Sequence, residues 1–176
     1  MGININFWKN KNILITGHTG FKGSWLLIWM LKNGANVWGY ALKAEELSLF
    51  NEVRGSLNEK FNHFEGDILD SKKLTEFVKE SNPDIIFHLA AQPLVRKSYL
   101  EPIKTWETNV IGSLNILEAT KSLKKKCAVI MVTTDKVYEN KEWSFGYREN
   151  DALGGVDPYS ASKACCEIAI KSWRES

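Results

Sequence analysis

The chain has 176 residues, of which 44% are hydrophobic and 25% are charged, and its formal net charge is +2. This composition is typical of a soluble globular protein with one core, so we expect a single domain. The small net charge gives no electrostatic reason to expect a nucleic-acid partner. The apolar stretch 25–31 is too short to span a bilayer, and no membrane partner is expected.

The cysteines indicate a reduced protein. There are three of them, Cys165 and Cys166 are adjacent, and none has CxxC spacing. The pattern predicts no metal site and a cytoplasmic location. The N-terminus lacks the cationic region of an export signal, which agrees with that location.

The first predicted elements form one β-α-β unit. Asn12–Thr16 is expected to be a short buried strand, Phe21–Lys32 a helix, and Val37–Leu42 a second strand. The right-handed crossover typical of such units makes the two strands parallel.

The same alternation continues along the chain. The further predicted elements are a strand at 61–65, a helix at 71–81 capped by Asp70, a strand at 85–89, a long helix at 102–123, a strand at 129–133, a loop at 134–158 and a helix at 159–173. In the long helix, Trp106, Val110, Leu114 and Leu117 recur at helical spacing and share one face. The pattern predicts an α/β fold, a doubly wound parallel sheet of the Rossmann type, with ligands at the carboxyl ends of the strands.

A glycine-rich loop, Gly17–Gly23, follows the first strand and opens the first helix. Glycines in this position allow a tight turn and let backbone N–H groups approach a pyrophosphate at the helix N-terminus. The order Lys22-Gly23-Ser24 is not that of a nucleoside-triphosphate loop, so a dinucleotide is favoured. The alternative is a turn that only joins strand to helix.

The ends of the second and third strands are less informative. No acidic residue ends the second strand, and Lys43 there could meet a ribose phosphate or be solvated, so NAD and NADP are not distinguished. Asp67, followed by Ile68, is placed to meet an adenine edge. On spacing alone it could equally be the acid of a turn before a helix.

The fourth and fifth strands also end in candidate site residues. The small residues of Leu89-Ala90-Ala91-Gln92 would let a flat cofactor lie close to the backbone, or would only permit tight packing. Thr133-Thr134-Asp135-Lys136 places a hydroxyl, a carboxyl group and an amine at the mouth of the expected cleft. The alternative is an ordinary polar turn.

Tyr159 and Lys163 are four residues apart at the start of the last helix and share one face. A close ammonium favours the phenolate, so Tyr159 could act as a base near neutral pH. Lys163 could also hold a ribose. The alternative is an amphipathic helix with a solvated lysine.

Four segments, TGHTGFKG, HLAAQPLVRKSY, TTDKVYEN and DPYSASKA, occur in this order across the chain. Together they resemble the N-terminal part of the extended short-chain dehydrogenase/reductase family, whose NAD-dependent epimerases and dehydratases act on nucleotide sugars. Lys136 stands where dTDP-glucose dehydratases usually have glutamate, and this difference indicates the 4,6-dehydratases of CDP-glucose.

The resemblance implies a reaction without net oxidation. Hydride passes from the sugar C4 to NAD, water is lost across C5 and C6, and the hydride returns to C6. Thr134 and Tyr159 would contact the C4 hydroxyl, Lys163 the nicotinamide ribose, and Asp135 with Lys136 would act at C5 and C6. Arg96 and Asn109 match family positions near the substrate. With the motifs above, the expected cofactor-binding residues are Gly17, Thr19, Gly20, Phe21, Lys22, Gly23, Asp67, Ile68, Leu89, Ala90, Ala91, Gln92, Thr133, Tyr159 and Lys163.

The resemblance also concerns the partners and the extent of the chain. Family members continue with a C-terminal domain that binds the nucleotide sugar, which we expect to lie outside residues 1–176. The helix faces around Trp106 and Trp173 match helices that pair two subunits, which implies a homodimer. The alternatives are a nucleotide-sugar 4-epimerase, another dehydratase of the same fold, or an inactive cofactor-binding truncation.

Overall fold

The computed structural model describes residues 5–57 and 61–176. Its centre is a five-stranded sheet in the order β3-β2-β1-β4-β5, and all four neighbouring pairs are parallel. The strands are β1 (Asn12–Thr16), β2 (Asn36–Ala41), β3 (Phe61–Glu65), β4 (Ile85–His88) and β5 (Ala128–Met131). The order confirms the doubly wound Rossmann-type sheet. Strands are added toward one edge from β1 to β3 and toward the other edge from β4 to β5, so the order reverses between β1 and β4.

Helices connect consecutive strands, and a last helix follows β5. They are α1 (Phe21–Lys32), α2 (Leu49–Val53), α3 (Ser71–Ser81), α4 (Val95–Leu100), α5 (Pro102–Trp106), α6 (Gly112–Ala119) and α7 (Pro158–Glu175), and a π-helical turn, Glu107–Ile111, joins α5 to α6. The short helices α2 and α4 were not predicted, because neither is long enough to show a clear apolar period. In the part of the chain that the structure describes, no helix could cross a membrane.

Two apolar cores lie on opposite faces of the sheet. Leu14 and Ile86 pack with α3 and α6 on one face, whereas Ile13 and Ile15 pack with α1 on the other. Because successive strand residues point to opposite faces, the fully apolar centre of β1 supplies both cores. The strands therefore hold the loops at their carboxyl ends on a rigid base.

The long helix buries a face that carries polar side chains. Thr105, Asn109 and Ser113 are buried, whereas Trp106 is 38% exposed. The polar side chains can be buried there because each has a hydrogen-bond partner within the chain. Leu117 is buried as well.

His18 of the glycine-rich loop is buried against Gly39 of β2. Its Nε2 lies 2.7 Å from Nδ1 of His63 on β3, and burial, with a smaller contribution from His63, lowers the pKa of His18 to about 3. A Cβ built on Gly39 would lie 2.6 Å from the His18 ring. Gly39 is therefore the residue that leaves room for the loop histidine.

We expect Gly39→Ala to lower the free energy of unfolding by about 1–3 kcal/mol, because the added methyl group overlaps the His18 ring. Urea unfolding followed by tryptophan fluorescence measures this change. Gly146→Ala is the matched control, since nothing lies within 4 Å of a Cβ at that position. Equal stability of the two variants would contradict the assigned contact.

Candidate functional site

The candidate motifs follow three adjacent strands of the sheet. The glycine-rich loop follows β1, residues 89–92 follow β4, and residues 133–136 follow β5. Because carboxyl ends of parallel strands meet at one edge, the motifs share one side of the molecule. The glycine-rich loop and residues 89–92 flank the point between β1 and β4 where the strand order reverses.

The glycine-rich loop is tightly packed against its surroundings. Gly17 has a φ of +74°, and a Cβ there would lie 2.7 Å from the backbone nitrogen of Ala90. A Cβ on Gly23 would overlap the Gly17 carbonyl. Gly20 at the N-cap of α1 supplies no capping side chain, so the first turn of α1 keeps N–H groups for an anion. This cradle fits the pyrophosphate of a dinucleotide.

Other loop residues differ in what they leave available to a ligand. The Thr19 hydroxyl donates to the Leu42 carbonyl at 3.0 Å, which ties the loop to the end of β2. Phe21 is 74% exposed, and Lys22 is also exposed.

Asp67 is partly engaged by its own turn. Its Oδ1 accepts a hydrogen bond from the Leu69 N–H at 2.9 Å, and its Oδ2 lies 3.9 Å from Lys104 Nζ. The side chain of the adjacent Ile68 is buried next to Gly112. Asp67 Oδ1 therefore has the role of a turn acid, whereas Oδ2 faces the Lys104 ammonium.

A buried polar chain connects β1, β4 and α6. The Thr16 hydroxyl lies 2.7 Å from His88 Nδ1 and accepts a hydrogen bond from the Ala90 N–H at 3.3 Å. His88 Nε2 lies 3.2 Å from the Ser113 hydroxyl. Burial, with a smaller contribution from Lys163, lowers the pKa of His88 to about 3, which keeps its imidazole neutral. Thr16 and His88 were not among the predicted site residues, although a polar residue ending an apolar strand was a usable signal.

Asn109 joins the β4 end to the long helix and to α7. Its Oδ1 accepts a hydrogen bond from the Gln92 N–H at 2.8 Å, and its Nδ2 donates to the Gln92 carbonyl at 3.2 Å and to Ser162 Oγ at 2.9 Å. The Ser162 hydroxyl in turn donates to the Tyr159 carbonyl at 2.7 Å. One amide thus fixes the loop beyond β4 relative to the tyrosine helix.

This burial corrects the expected role of Asn109. The residue is 0% exposed and its amide is engaged within the chain, so a direct contact with a substrate does not fit. Arg96 is exposed on α4, so its side chain is accessible to a ligand. Leu89 and Ala91 are half-buried just after β4.

Thr134, Asp135 and Tyr159 come together beyond β5. The Thr134 hydroxyl donates to Asp135 Oδ1 at 3.1 Å and accepts a hydrogen bond from the Lys136 N–H at 3.3 Å. Burial raises the pKa of the Tyr159 phenol, a hydrogen bond with Thr134 acts in the opposite direction, and the nearby carboxylates Asp135 and Asp157 raise it further. Asp135 and Lys136 are exposed. A phenol, a hydroxyl, a carboxylate and an amine therefore share one open end of the sheet.

The expected effect of Lys163 on the phenol is not what the structure shows. Lys163 is 4% exposed, its Nζ donates to the Val132 carbonyl at 3.1 Å, and desolvation lowers its pKa. The pKa of Tyr159 is raised rather than lowered, because burial and two carboxylates dominate its surroundings. Formation of the phenolate near neutral pH requires an additional positive charge close to the ring.

A protein-family model described as GDP-mannose 4,6 dehydratase matches residues 14–176. The chain belongs to this family. A CDP-glucose 4,6-dehydratase of Salmonella typhimurium is 50% identical over 175 residues, which cover 99% of this chain and 48% of the relative. The chain thus spans about half the length of the curated relatives it matches.

Solved structures of nucleotide-sugar enzymes share the fold of this dehydratase-family chain. UDP-glucose 4-epimerase of Thermotoga maritima, solved with UDP-glucose, is 28% identical with a TM-score of 0.79 over 93% of this chain and 51% of the other. MoeE5, solved with UDP-glucuronic acid and NAD, is 26% identical with a TM-score of 0.73 over 92% of this chain and 48% of the other.

We expect Asn109→Leu to lower the free energy of unfolding by about 2–4 kcal/mol, because it leaves the buried Gln92 N–H and its carbonyl without their partner. Urea unfolding measures the loss. Asn150→Leu, at an exposed position, is the control and should change stability little. A near-neutral Asn109→Leu would show that the bridge contributes nothing to the fold.

Acid should destabilise the fold in a window set by the two buried histidines. Folding holds the pKa of His18 and His88 at about 3, whereas an unfolded histidine titrates near ~6.5. The unfolded state therefore binds protons first. The contribution of the two histidines to the free energy of unfolding should be fully present above pH ~6.5. Below that pH the free energy of unfolding should fall by about 1.4 kcal/mol per pH unit for each histidine.

Urea midpoints measured from pH 7 to pH 5 test this expectation, because the carboxylates stay largely charged over that range. His88→Asn should reduce the slope by about half, since one of the two histidines no longer takes up a proton. A midpoint that does not change over this range would rule out the assignment.

Proposed function

We propose that residues 1–176 form the NAD-binding domain of a nucleotide-sugar 4,6-dehydratase that acts on CDP-glucose. The observation that carries the proposal is the meeting of Tyr159, Thr134 and Asp135 beside the sheet end that carries the glycine cradle. A dinucleotide on the cradle would extend across the ends of β1 and β4 toward these groups.

The cofactor would be held from three sides. The first turn of α1 would take the pyrophosphate, the Asp67 turn the adenine, and Lys163 the nicotinamide ribose. The chemistry that NAD supplies when bound is reversible acceptance of a hydride from a carbon that bears a hydroxyl. Ala90, Ala91 and Thr133 would form the wall closest to the reacting ring.

The side chains would then handle the protons. Tyr159 would take the proton of the sugar C4 hydroxyl, and Thr134 would hold that oxygen through its hydroxyl. The positive charge that the phenolate requires would come from the bound nicotinamide together with Lys163. Asp135 and Lys136, both exposed and adjacent to Thr134, would move the protons at C5 and C6 when water is eliminated.

The choice of substrate is supported by the relative of 50% identity, which is a CDP-glucose 4,6-dehydratase. Lys136 in place of a carboxylate supports the same choice. Contacts to the cytosine would lie in the portion of the relatives that residues 1–176 do not match. Arg96, which is exposed on α4, would contact the substrate from this chain.

We further expect the protein to form homodimers in the cytoplasm. The support for pairing is the exposed apolar surface of the helices next to α7, at Tyr99, Leu100, Ile103 and Ile111, and of α7 itself, at Ile168. Such residues are typical of subunit interfaces. Three unpaired cysteines support a reducing compartment.

Cofactor binding is tested by titrating the chain with NAD and recording tryptophan fluorescence. Lys163→Met should weaken binding by about tenfold or more, because the charged donor to the ribose is lost. Lys171→Met, two turns further on the same helix and exposed, should bind like wild type. Equal affinity of the three proteins would exclude the ribose contact.

Activity is tested by replacing the matching segment of the Salmonella relative with these 176 residues. The chimera should convert CDP-glucose to a product lighter by one water molecule, and Tyr159→Phe should reduce turnover by about 10²-fold or more. The 176 residues alone should show little turnover, since the sugar is not held near the cofactor. A product of unchanged mass would indicate an epimerase.

A further inference from the structure

The tyrosine helix is attached to the end of β5 at two consecutive residues. Lys163 Nζ donates to the Val132 carbonyl at 3.1 Å, and the Thr133 hydroxyl donates to the Glu167 carboxylate. Lys163 and Glu167 are four residues apart and therefore share one face of α7. The segment that follows β5 and leads into Thr134 is thus held by the Lys163 ammonium and by the Glu167 carboxylate, which lies one turn further along α7.

Glu167 also influences the charge of Lys163. Desolvation lowers the pKa of Lys163, whereas Cys166 and Glu167 raise it. Burial raises the pKa of the Cys166 thiol, so this side chain is neutral at neutral pH. His88, whose pKa is lowered by burial and to a smaller extent by Lys163, is neutral as well. Within residues 5–57 and 61–176, Glu167 is therefore the carboxylate that opposes the desolvation of Lys163.

A neutral acceptor could hold the Thr133 hydroxyl as well as a carboxylate does. A half-buried carboxylate adds a cost of desolvation that a hydrogen bond to one threonine does not require. The cost is offset if the charge also stabilises a buried ammonium nearby. The position of Glu167 relative to Lys163 and Thr133 meets both requirements.

We infer that Glu167 is a positioning residue of the cofactor site, which fixes the end of β5 through Thr133 and places its negative charge on the face of α7 that carries Lys163. The inference rests on the proposed function, because it assigns Glu167 an indirect role in holding the ribose. Glu167 acts through two neighbours and contacts neither cofactor nor substrate itself.

The first test uses Glu167→Gln, which keeps an acceptor for Thr133 and removes the charge. We expect the pKa of Lys163, followed by NMR of its labelled side chain in the NAD-free chain, to fall by about one unit. The alkaline decline in NAD affinity should move to lower pH by the same amount. Glu175→Gln, at the exposed end of α7, is the control and should shift neither quantity.

The second test separates the hydrogen bond from the charge. Thr133→Val should weaken NAD binding severalfold at neutral pH without moving the alkaline decline, whereas Thr133→Ser, which keeps the hydroxyl that Glu167 accepts from, should bind NAD more tightly than Thr133→Val. Circular dichroism verifies that each variant is folded.

The outcomes distinguish the inference from the function on which it rests. Wild-type NAD affinity and an unshifted alkaline decline in Glu167→Gln would overturn the inference and leave the proposed function intact. A Glu167→Gln that loses thermal stability while the pKa of Lys163 stays unchanged would reduce Glu167 to a structural contact and would also overturn it. A wild-type chain that does not bind NAD would overturn both.

Discussion

The buried amide of Asn109 is the interaction on which the site depends. It pairs with both backbone groups of Gln92 and reaches Ser162, whose hydroxyl continues to the Tyr159 carbonyl. Three segments that are distant in sequence are therefore held by one side chain in a medium of low dielectric, where an unmet hydrogen bond is costly. The π-helical turn at Glu107–Ile111 surrounds this residue, as is common where a helix serves a site.

Around that bridge, burial controls which groups carry charge. His88 is kept neutral between Thr16 and Ser113, while Lys163 donates to a carbonyl at the end of β5. Tyr159 is held as a phenol by the same burial. An added positive charge next to the ring would act on a half-buried phenol, where solvent screens charges less than at an exposed position.

The glycine-rich loop adds a second constraint, because it is packed on both sides. Gly17 lies against the Ala90 backbone, and the neighbouring His18 ring lies against Gly39. The loop therefore cannot shift without disturbing β2 and the end of β4, and the N-terminus of α1 stays aimed at one place. Rigid support of this kind is what an anion site made of backbone N–H groups requires.

Much of the fold and part of the site could be read from the sequence. The apolar strands and the Asp70 cap gave the observed bounds of β1, α1, β3 and α3, because these signals are local. The loop glycines and the Tyr159–Lys163 spacing are local signals as well. Tertiary structure alone decided that Asn109 is buried, that the Thr105 and Ser113 face of the long helix turns inward, and that Thr133 meets Glu167. These features join residues distant in the chain, and a polar side chain is stable in a core only where such a partner meets it.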